Sequence, residues 1–408
     1  MTDPAAAVSV VVVSRGRPQA LLSCLESLSQ QFHPLFEVVV VADPPGLAAV
    51  AGSGLAERVK AVAFDRANIS EARNLGIAAA AGAVVAFIDD DAVAEPTWLQ
   101  FLASPFSDPD IAASGGFVRG RNGISFQWRG RTVDGEAIPR DLSIPDQGWT
   151  SPDPGPGRAV KTEGTNMAVR RDVLVRLGGF DPAFAFYLDE TDLNLRLADQ
   201  GLRTAIVPLA EVHHGSAPSD RRRADRMPRD LHEIGASCAV FLRKHAPRTL
   251  GARRTAMTLE QRQRLVRHMV AGRCMPGDVE RILASFEAGF NGGLSRLLDP
   301  CRLPDTEPQA FLHFSHPPPG SVVIAGPLSR RRQLLAEARQ TRESGAIVTL
   351  ITFSHTARPH SVSFRYGIWQ HRGGIFGRSS RDEPPVRTGS LLSRVADERS
   401  RVSKVRRI

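Results

Sequence analysis

Three consecutive aspartates, Asp89-Asp90-Asp91, close the apolar stretch Ala83-Val84-Val85-Ala86-Phe87-Ile88. Such a stretch reads as a buried strand that opens onto a polar crevice. In open α/β sheets, ligands bind beyond the carboxyl ends of the strands. Three like charges side by side repel one another, and a divalent cation would hold them together. Carboxylates that bind Mg²⁺ or Mn²⁺ commonly share the ion with substrate phosphates. The plain alternative is a solvated Asp-rich turn, which Asp also favours.

The elements that must position these carboxylates are legible on either side. Ser9 to Val13 is a β-branched apolar run that reads as a buried strand. Ser14-Arg15-Gly16-Arg17-Pro18 breaks it, and Leu21, Leu22, Leu25 and Leu28 then mark a helix face. Phe36 to Val41 reads as a second strand ending in a turn at Asp43-Pro44-Pro45-Gly46, and Val59 to Phe64 as a third. Asn68-Ile69-Ser70-Glu71 has the form of a helix start, with Asn68 as N-cap and Glu71 three residues on. Strand and helix alternating in this rhythm predict an α/β fold with a mainly parallel sheet flanked by helices.

Beyond the aspartates, residues 119–160 read as a long loop region with room for a hairpin, a kind of segment that often shapes a binding site. Arg170 to Leu177 and Asp189 to Gln200 are predicted helices, and Thr204 to Val207 a short strand followed by His213-His214. From Arg221 to about Leu298 the chain is an Arg-rich helical region. A Pro-rich break spans Pro304 to Pro319, and a small α/β unit follows: strand Ser321–Ala325, helix Leu328–Ser344, strand Ala346–Phe353. The expected organisation is a first domain over 1–215, a basic helical extension over 216–300, a small α/β accessory unit over 301–377 and a polar, basic, frayed tail over 378–408.

The chain has 408 residues, 42% hydrophobic and 23% charged, which is ordinary for a globular protein with a full core. The apolar run from Ile77 to Ile88 is shorter than the ~20 residues that a membrane span needs. The four cysteines, Cys24, Cys238, Cys274 and Cys301, show neither a disulfide framework nor a zinc spacing. With Asp3, Pro4 and no early basic residue, the start does not resemble a signal peptide. A cytoplasmic setting is expected. The net charge is +9, but residues 1–215 are acidic and residues 216–408 strongly basic. The basic half suits an anionic surface, and its null counterpart is a solvated arginine face with no partner.

Seven segments taken in order resemble the family 2 glycosyltransferases, which have a GT-A fold. They are Val8 to Arg15, Asn68 to Gly76, Phe87 to Asp91, Glu95 to Leu99, Gly164 to Arg171, Gly178 to Asp181 and Leu188 to Leu197. The resemblance covers roughly residues 7–215. It implies a nucleotide-diphospho-sugar donor, a saccharide or lipid-linked acceptor, and a divalent metal, Mn²⁺ or Mg²⁺. The family's D-x-D pattern falls on Asp89, toward the nucleotide ribose, and Asp91, on the metal. Asp43 matches the acid that reads the base, with a plain turn residue as the alternative. Ser14 and Arg15 would border base and ribose, and Arg73 would approach the nucleotide side.

The same resemblance makes Asp189-Glu190-Thr191-Asp192 the source of a general base, a carboxylate that takes the acceptor hydroxyl's proton as it attacks. The family has Glu-Asp where this chain has Asp189-Glu190. Position assigns the base to Glu190, residue type to Asp189, and Glu190 is preferred. Some relatives place a metal-binding histidine near His213. The family implies inversion at the sugar carbon and a role in polysaccharide or glycoconjugate synthesis. The charge of the basic half, with a lipid-linked acceptor, suggests peripheral contact with an anionic inner membrane face. A nucleotidyltransferase would want a Gly-rich loop after the first strand, and that break holds Gly16 alone. A nucleic-acid-binding role is not expected, because aromatic residues are 6% and few stand among the arginines of 219–268.

Overall fold

The computed structural model describes residues 6–215, 219–299, 301–304, 309–314 and 317–408. Parts of the Pro304–Pro319 break therefore lie outside the described residues. The β-branched run forms β1 (Val8–Ser14), followed by α1 (Pro18–Leu28), β2 (Phe36–Ala42), α2 (Pro44–Ala51), β3 (Lys60–Ala63), α3 (Ile69–Ala79) and β4 (Val84–Asp89). These four strands pair in parallel in the order β3-β2-β1-β4. Asp43-Pro44-Pro45-Gly46, expected as a turn, starts a helix instead. Asp43 caps α2 by accepting from Gly46 N at 3.1 Å, and Pro44 takes the first helical position, where no N–H is needed. Asn68 caps α3 as expected, accepting from Glu71 N at 3.1 Å.

The sheet continues through β5 (Ala92–Ala94), α4 (Trp98–Ala103), β6 (Ile111–Arg119) and β7 (Phe126–Trp128). The region read as a loop over 119–160 also holds β8 (Arg131–Asp134), β9 (Pro139–Asp141) and β10 (Arg158–Lys161), a separate three-stranded antiparallel sheet. Then come β11 (Met167–Arg170), α5 (Arg171–Leu177), α6 (Asp189–Asp199) and β12 (Arg203–His214). The main sheet is completed in the order β4-β11-β6-β12-β5; β11 and β5 run antiparallel to their neighbours and β12 runs parallel to β6. Parallel pairing thus defines the first half and mixed pairing the second. Two apolar layers cover its faces, one around Leu25, Phe36 and Trp98, the other around Ile77, Phe87 and Phe180.

The basic region is three helices, α7 (His232–His245), α8 (Leu250–Val270) and α9 (Pro276–Leu294). Close packing of α7 on α9 needs glycine: a Cβ on Gly289 would lie 1.9 Å from the His232 carbonyl oxygen. The last unit is β13 (Ser321–Pro327), α10 (Arg331–Glu343), β14 (Ile347–Ser354), β15 (Ser361–Arg365) and β16 (Ile368–Gly374), in the order β13-β14-β16-β15. Residues 378–408, expected to fray, differ from that reading. They carry α11 (Leu391–Arg406), whose Arg394, Glu398 and Arg406 are fully buried. Its end is pinned to the first domain, where Thr97 Oγ1 donates to the Val405 carbonyl at 2.9 Å. No helix among the described residues is long and apolar enough to cross a membrane.

Candidate active site

The acidic triplet stands where β4 ends, at the carboxyl edge of the parallel strands. Each aspartate has its own surroundings. Asp90 is fully buried; it accepts from Ser14 Oγ at 2.7 Å and pairs with Arg17 at 2.6 Å. Burial pushes its carboxyl up to about 7 against the pull of Arg17. Asp91 pairs with Arg17 at 3.1 Å and faces His214 Nε2 at 3.3 Å. Asp89 is the most open of the three, 4.0 Å from His214 Nε2 and 3.4 Å from Arg73. One ligand atom each from Asp89, Asp91 and His214 lie within 4.8 Å of one another. Two carboxylates and an imidazole are a donor set that a divalent ion accepts, and the imidazole favours Mn²⁺ over Mg²⁺.

The second acidic cluster meets the first through one arginine. Arg73 on α3 is buried against the rings of Phe180 and Phe87 and pairs with Asp189 and Asp89, while also donating to the Gly164 carbonyl at 3.1 Å. Tyr187 and Leu188 both have positive φ, 79° and 65°, just before α6. Backbone held there by non-glycine residues costs roughly 1–3 kcal/mol each and clusters at functional sites. The bend sets Asp189 and Glu190 on the first turn of α6, where the helix dipole favours negative charge.

The two carboxylates then diverge. The Asp189 side chain is 4% exposed and held by Arg73; burial pushes it up to about 7. Glu190 is 15% exposed and pairs with Lys161 at 3.0 Å. Burial opposes its ionisation, yet Lys161 and then Arg73 override this and hold it down at about 2. Asp192 faces away and ties α6 to α7 through Lys244 at 2.7 Å and His245 at 2.9 Å, a structural part.

The other expected residues are placed as follows. Asp43 is buried, with one oxygen on Gly46 N and the other accepting from Gly16 N at 2.7 Å, so it braces the β1–α1 turn. Ser14 is committed to Asp90. Arg15 lies exposed at the rim, paired with Asp65 at 3.0 Å. His213 requires a correction. It faces away from the aspartates and pairs with Glu95 at 2.8 Å, beside Trp369. The short strand expected at Thr204–Val207 instead runs on to His214, so alternate residues point to opposite faces. His214 therefore takes the place expected of His213. Sequence reasoning also missed Arg17, Lys161 and Arg222, the last 4.0 Å from Asp91. The only signal for them was the need for cations to balance two acidic clusters.

Residues 9–174 match the family model described as glycosyl transferase family 2. Over 241 residues the chain is 28% identical to the O-antigen biosynthesis protein RfbC of Myxococcus xanthus, a match covering 54% of this chain and 18% of that protein. Over 196 residues it is 31% identical to the glucosyl-dolichyl phosphate glucuronosyltransferase of Haloferax volcanii, covering 43% of this chain and 56% of that one. The chain thus spans little more than half, or less, of these relatives. Among solved structures, the mannosyltransferase PcManGT from Pyrobaculum calidifontis, in complex with GDP-Man and Mn²⁺, is 18% identical, with a TM-score of 0.43 over 72% of this chain and 89% of that one.

Proposed function

We propose that the protein is a glycosyltransferase that moves a sugar from a nucleotide-diphospho-sugar to an acceptor hydroxyl, with inversion at the sugar carbon. The observation that carries this reading is Arg73, which joins Asp89 at the strand edge to Asp189 beside Glu190. The two acidic clusters therefore border one crevice, inside or next to the segment that matches the family model. Asp89, Asp91 and His214 would hold a divalent ion. When bound, such an ion neutralises the charge that develops on a diphosphate leaving group. Ser14, Arg15 and Asp43 border the same edge and would receive the nucleoside.

Glu190 takes the base role because it is the more open of the pair and is ionised beside Lys161. A carboxyl held that low is a weak proton acceptor, so the Lys161 pair has to loosen as the acceptor hydroxyl arrives. Asp189 acts through Arg73, fixing the guanidinium against Asp89. The acceptor is a saccharide or a lipid-linked saccharide, consistent with the names of the two relatives, and a lipid-linked one would bring the enzyme to the inner membrane face. The test is a screen of nucleotide sugars for hydrolysis with Mn²⁺, with Mg²⁺ and with chelator. Metal-dependent release of the nucleoside diphosphate is expected. Absence of binding and hydrolysis for every donor would overturn the assignment; equal hydrolysis under chelation would overturn the role of the metal.

A further inference from the structure

The arginines of the basic half do not form a flat face. Arg222 and Arg226, from the segment between β12 and α7, converge with Arg264, Arg267 and His268 of α8 and with Arg273 on a cavity of about 420 Å³. That size is within the ~300–1,000 Å³ of small-molecule sites. Arg264, Arg267 and His268 sit at i, i+3 and i+4, so α8 presents all three on one side. Like charges at that spacing repel. Among the described residues Arg264 donates to Gln261 Oε1 at 3.3 Å and shows no salt bridge to a carboxylate. Burial lowers the Arg264 pKa, Tyr187 opposes this, and Arg222, Arg267 and Arg226 add to it, so like charges crowd the cluster.

The cavity adjoins the candidate active site at two points. Arg222 stands 4.0 Å from Asp91. Gln127, also on the cavity wall, precedes Trp128, whose ring centroid is 5.7 Å from that of His214. Tyr187, next to the α6 cluster, is within charge range of both Glu190 and Arg264. We propose that this cavity binds the phosphate or diphosphate group of the acceptor, so that the enzyme recognises acceptors carrying that group. Guanidinium forks pair with phosphate oxygens bidentately, which suits a concave arginine cluster to a small polyanion better than to a flat leaflet. The proposal rests on the glycosyltransferase reading for the word acceptor, but the anion site can be tested without it.

The experiment is calorimetric titration of the full chain with inorganic pyrophosphate, in chelator to keep metal from the aspartates. Arg267→Gln, at an exposed helical position, and Arg264→Gln with Arg267→Gln are compared with wild type after circular dichroism confirms folding. Arg222 is left intact because it touches the Asp91 cluster. Saturable, salt-sensitive binding that weakens at least 10-fold in the double variant and persists in Asp91→Ala is expected. Equal binding in wild type and double variant, or binding lost in Asp91→Ala, would overturn the proposal. A parallel sedimentation with phosphatidylglycerol vesicles separates the sources: if the arginines matter for vesicles and pyrophosphate does not bind, a membrane surface is the ligand and the pocket proposal falls. Wild-type donor binding and hydrolysis are measured alongside. Absence of both sinks the transferase reading alone, whereas their presence with no pyrophosphate binding sinks the pocket alone.

Discussion

Two groups of histidine and carboxylate in this molecule place ligand atoms within 4.8 Å of one another, yet their surroundings give them opposite characters. Asp89, Asp91 and His214 lie at a sheet edge where four aspartates, with Asp90 and Asp189, face three arginines, Arg17, Arg73 and Arg222, and Asp89 is partly open. His360, His371 and Glu398 are sealed between the last sheet and α11, with Arg394 paired to Glu398 at 2.6 Å and Arg406 2.8 Å from His371 Nε2. Arginine can only donate, so His371 Nε2 accepts from Arg406, and His360 Nδ1 faces a second donor, Arg394, at 3.4 Å; His371 Nδ1 and His360 Nε2 lie 3.0 Å apart and take up each other. Both nitrogens that would face an ion are spent, and two guanidiniums repel a cation. Proximity of donors does not define a metal site; net charge and the whereabouts of protons do. The sealed group is a structural lock that continues through Arg406 to Glu95 at 2.7 Å and on to His213.

Substitutions in the open group should cost chemistry and those in the sealed group should cost folding. Glu190→Gln is expected to lower transfer by roughly 10²–10⁴, the usual weight of a general base, with donor binding retained. Asp91→Ala should lose several kcal/mol of transition-state stabilisation, with an unfolding temperature near wild type. Steady-state transfer and thermal melts together check both. Near-normal turnover of Asp91→Ala with Mn²⁺ or Mg²⁺ would remove it from the site. Should Asp189→Asn be inactive and Glu190→Gln active, the base is Asp189.

In the lock, Arg406→Ala leaves Glu95 buried with His213 alone beside it, and breaking a buried pair in this way typically costs about 3–5 kcal/mol. Urea unfolding measures it, and a loss under about 1 kcal/mol would mean that α11 does not secure the first domain. The same pair sets a pH dependence. Burial opposes ionisation of Glu95, but Arg406 holds its carboxyl down at about 2. A depressed carboxyl contributes stability above its unfolded pKa of about 4.5 and loses it as pH falls toward 2, where the unfolded state binds the extra proton first. The stability difference between wild type and Glu95→Gln should therefore be constant above pH 5 and shrink below about 4.5, by on the order of 3 kcal/mol in all.

The parallel strands, the Asn68 cap and both acidic clusters were legible because each rests on a local pattern: β-branched runs, a side chain capping three residues on, carboxylates at an element's end. What was not legible depends on distant partners. Residues 378–408 are polar, and nothing local says that Arg394, Glu398 and Arg406 are buried or that Arg406 pairs with Glu95. Ile368-Trp369-Gln370 begins β16, and Trp369 lies under Arg406 at 4.1 Å, a contact that no local pattern announces. Lys161 and Arg17 are ordinary basic residues until the fold brings them to Glu190 and Asp91.

The finest distinction lies between two neighbouring residues. His213 and His214 differ only in which face of β12 they occupy, and that face assigns one to the lock and the other to the aspartates. His214→Ala should weaken Mn²⁺ binding about 10-fold, the low end of what a misplaced metal environment costs, and leave the melting temperature close to wild type. His213→Ala removes a hydrogen bond from Glu95, whose charge Arg406 still balances, so it should cost only about 1 kcal/mol of stability and leave Mn²⁺ affinity unchanged. Mn²⁺ titration followed by electron paramagnetic resonance, with melts of the same samples, reads both quantities. If His213→Ala were the variant that loses Mn²⁺, the register of β12 beyond its irregularity at Val207–Val212 would be off by one residue in solution. If neither loses it, the aspartates bind the ion without imidazole, and the preference for Mn²⁺ over Mg²⁺ should disappear as well.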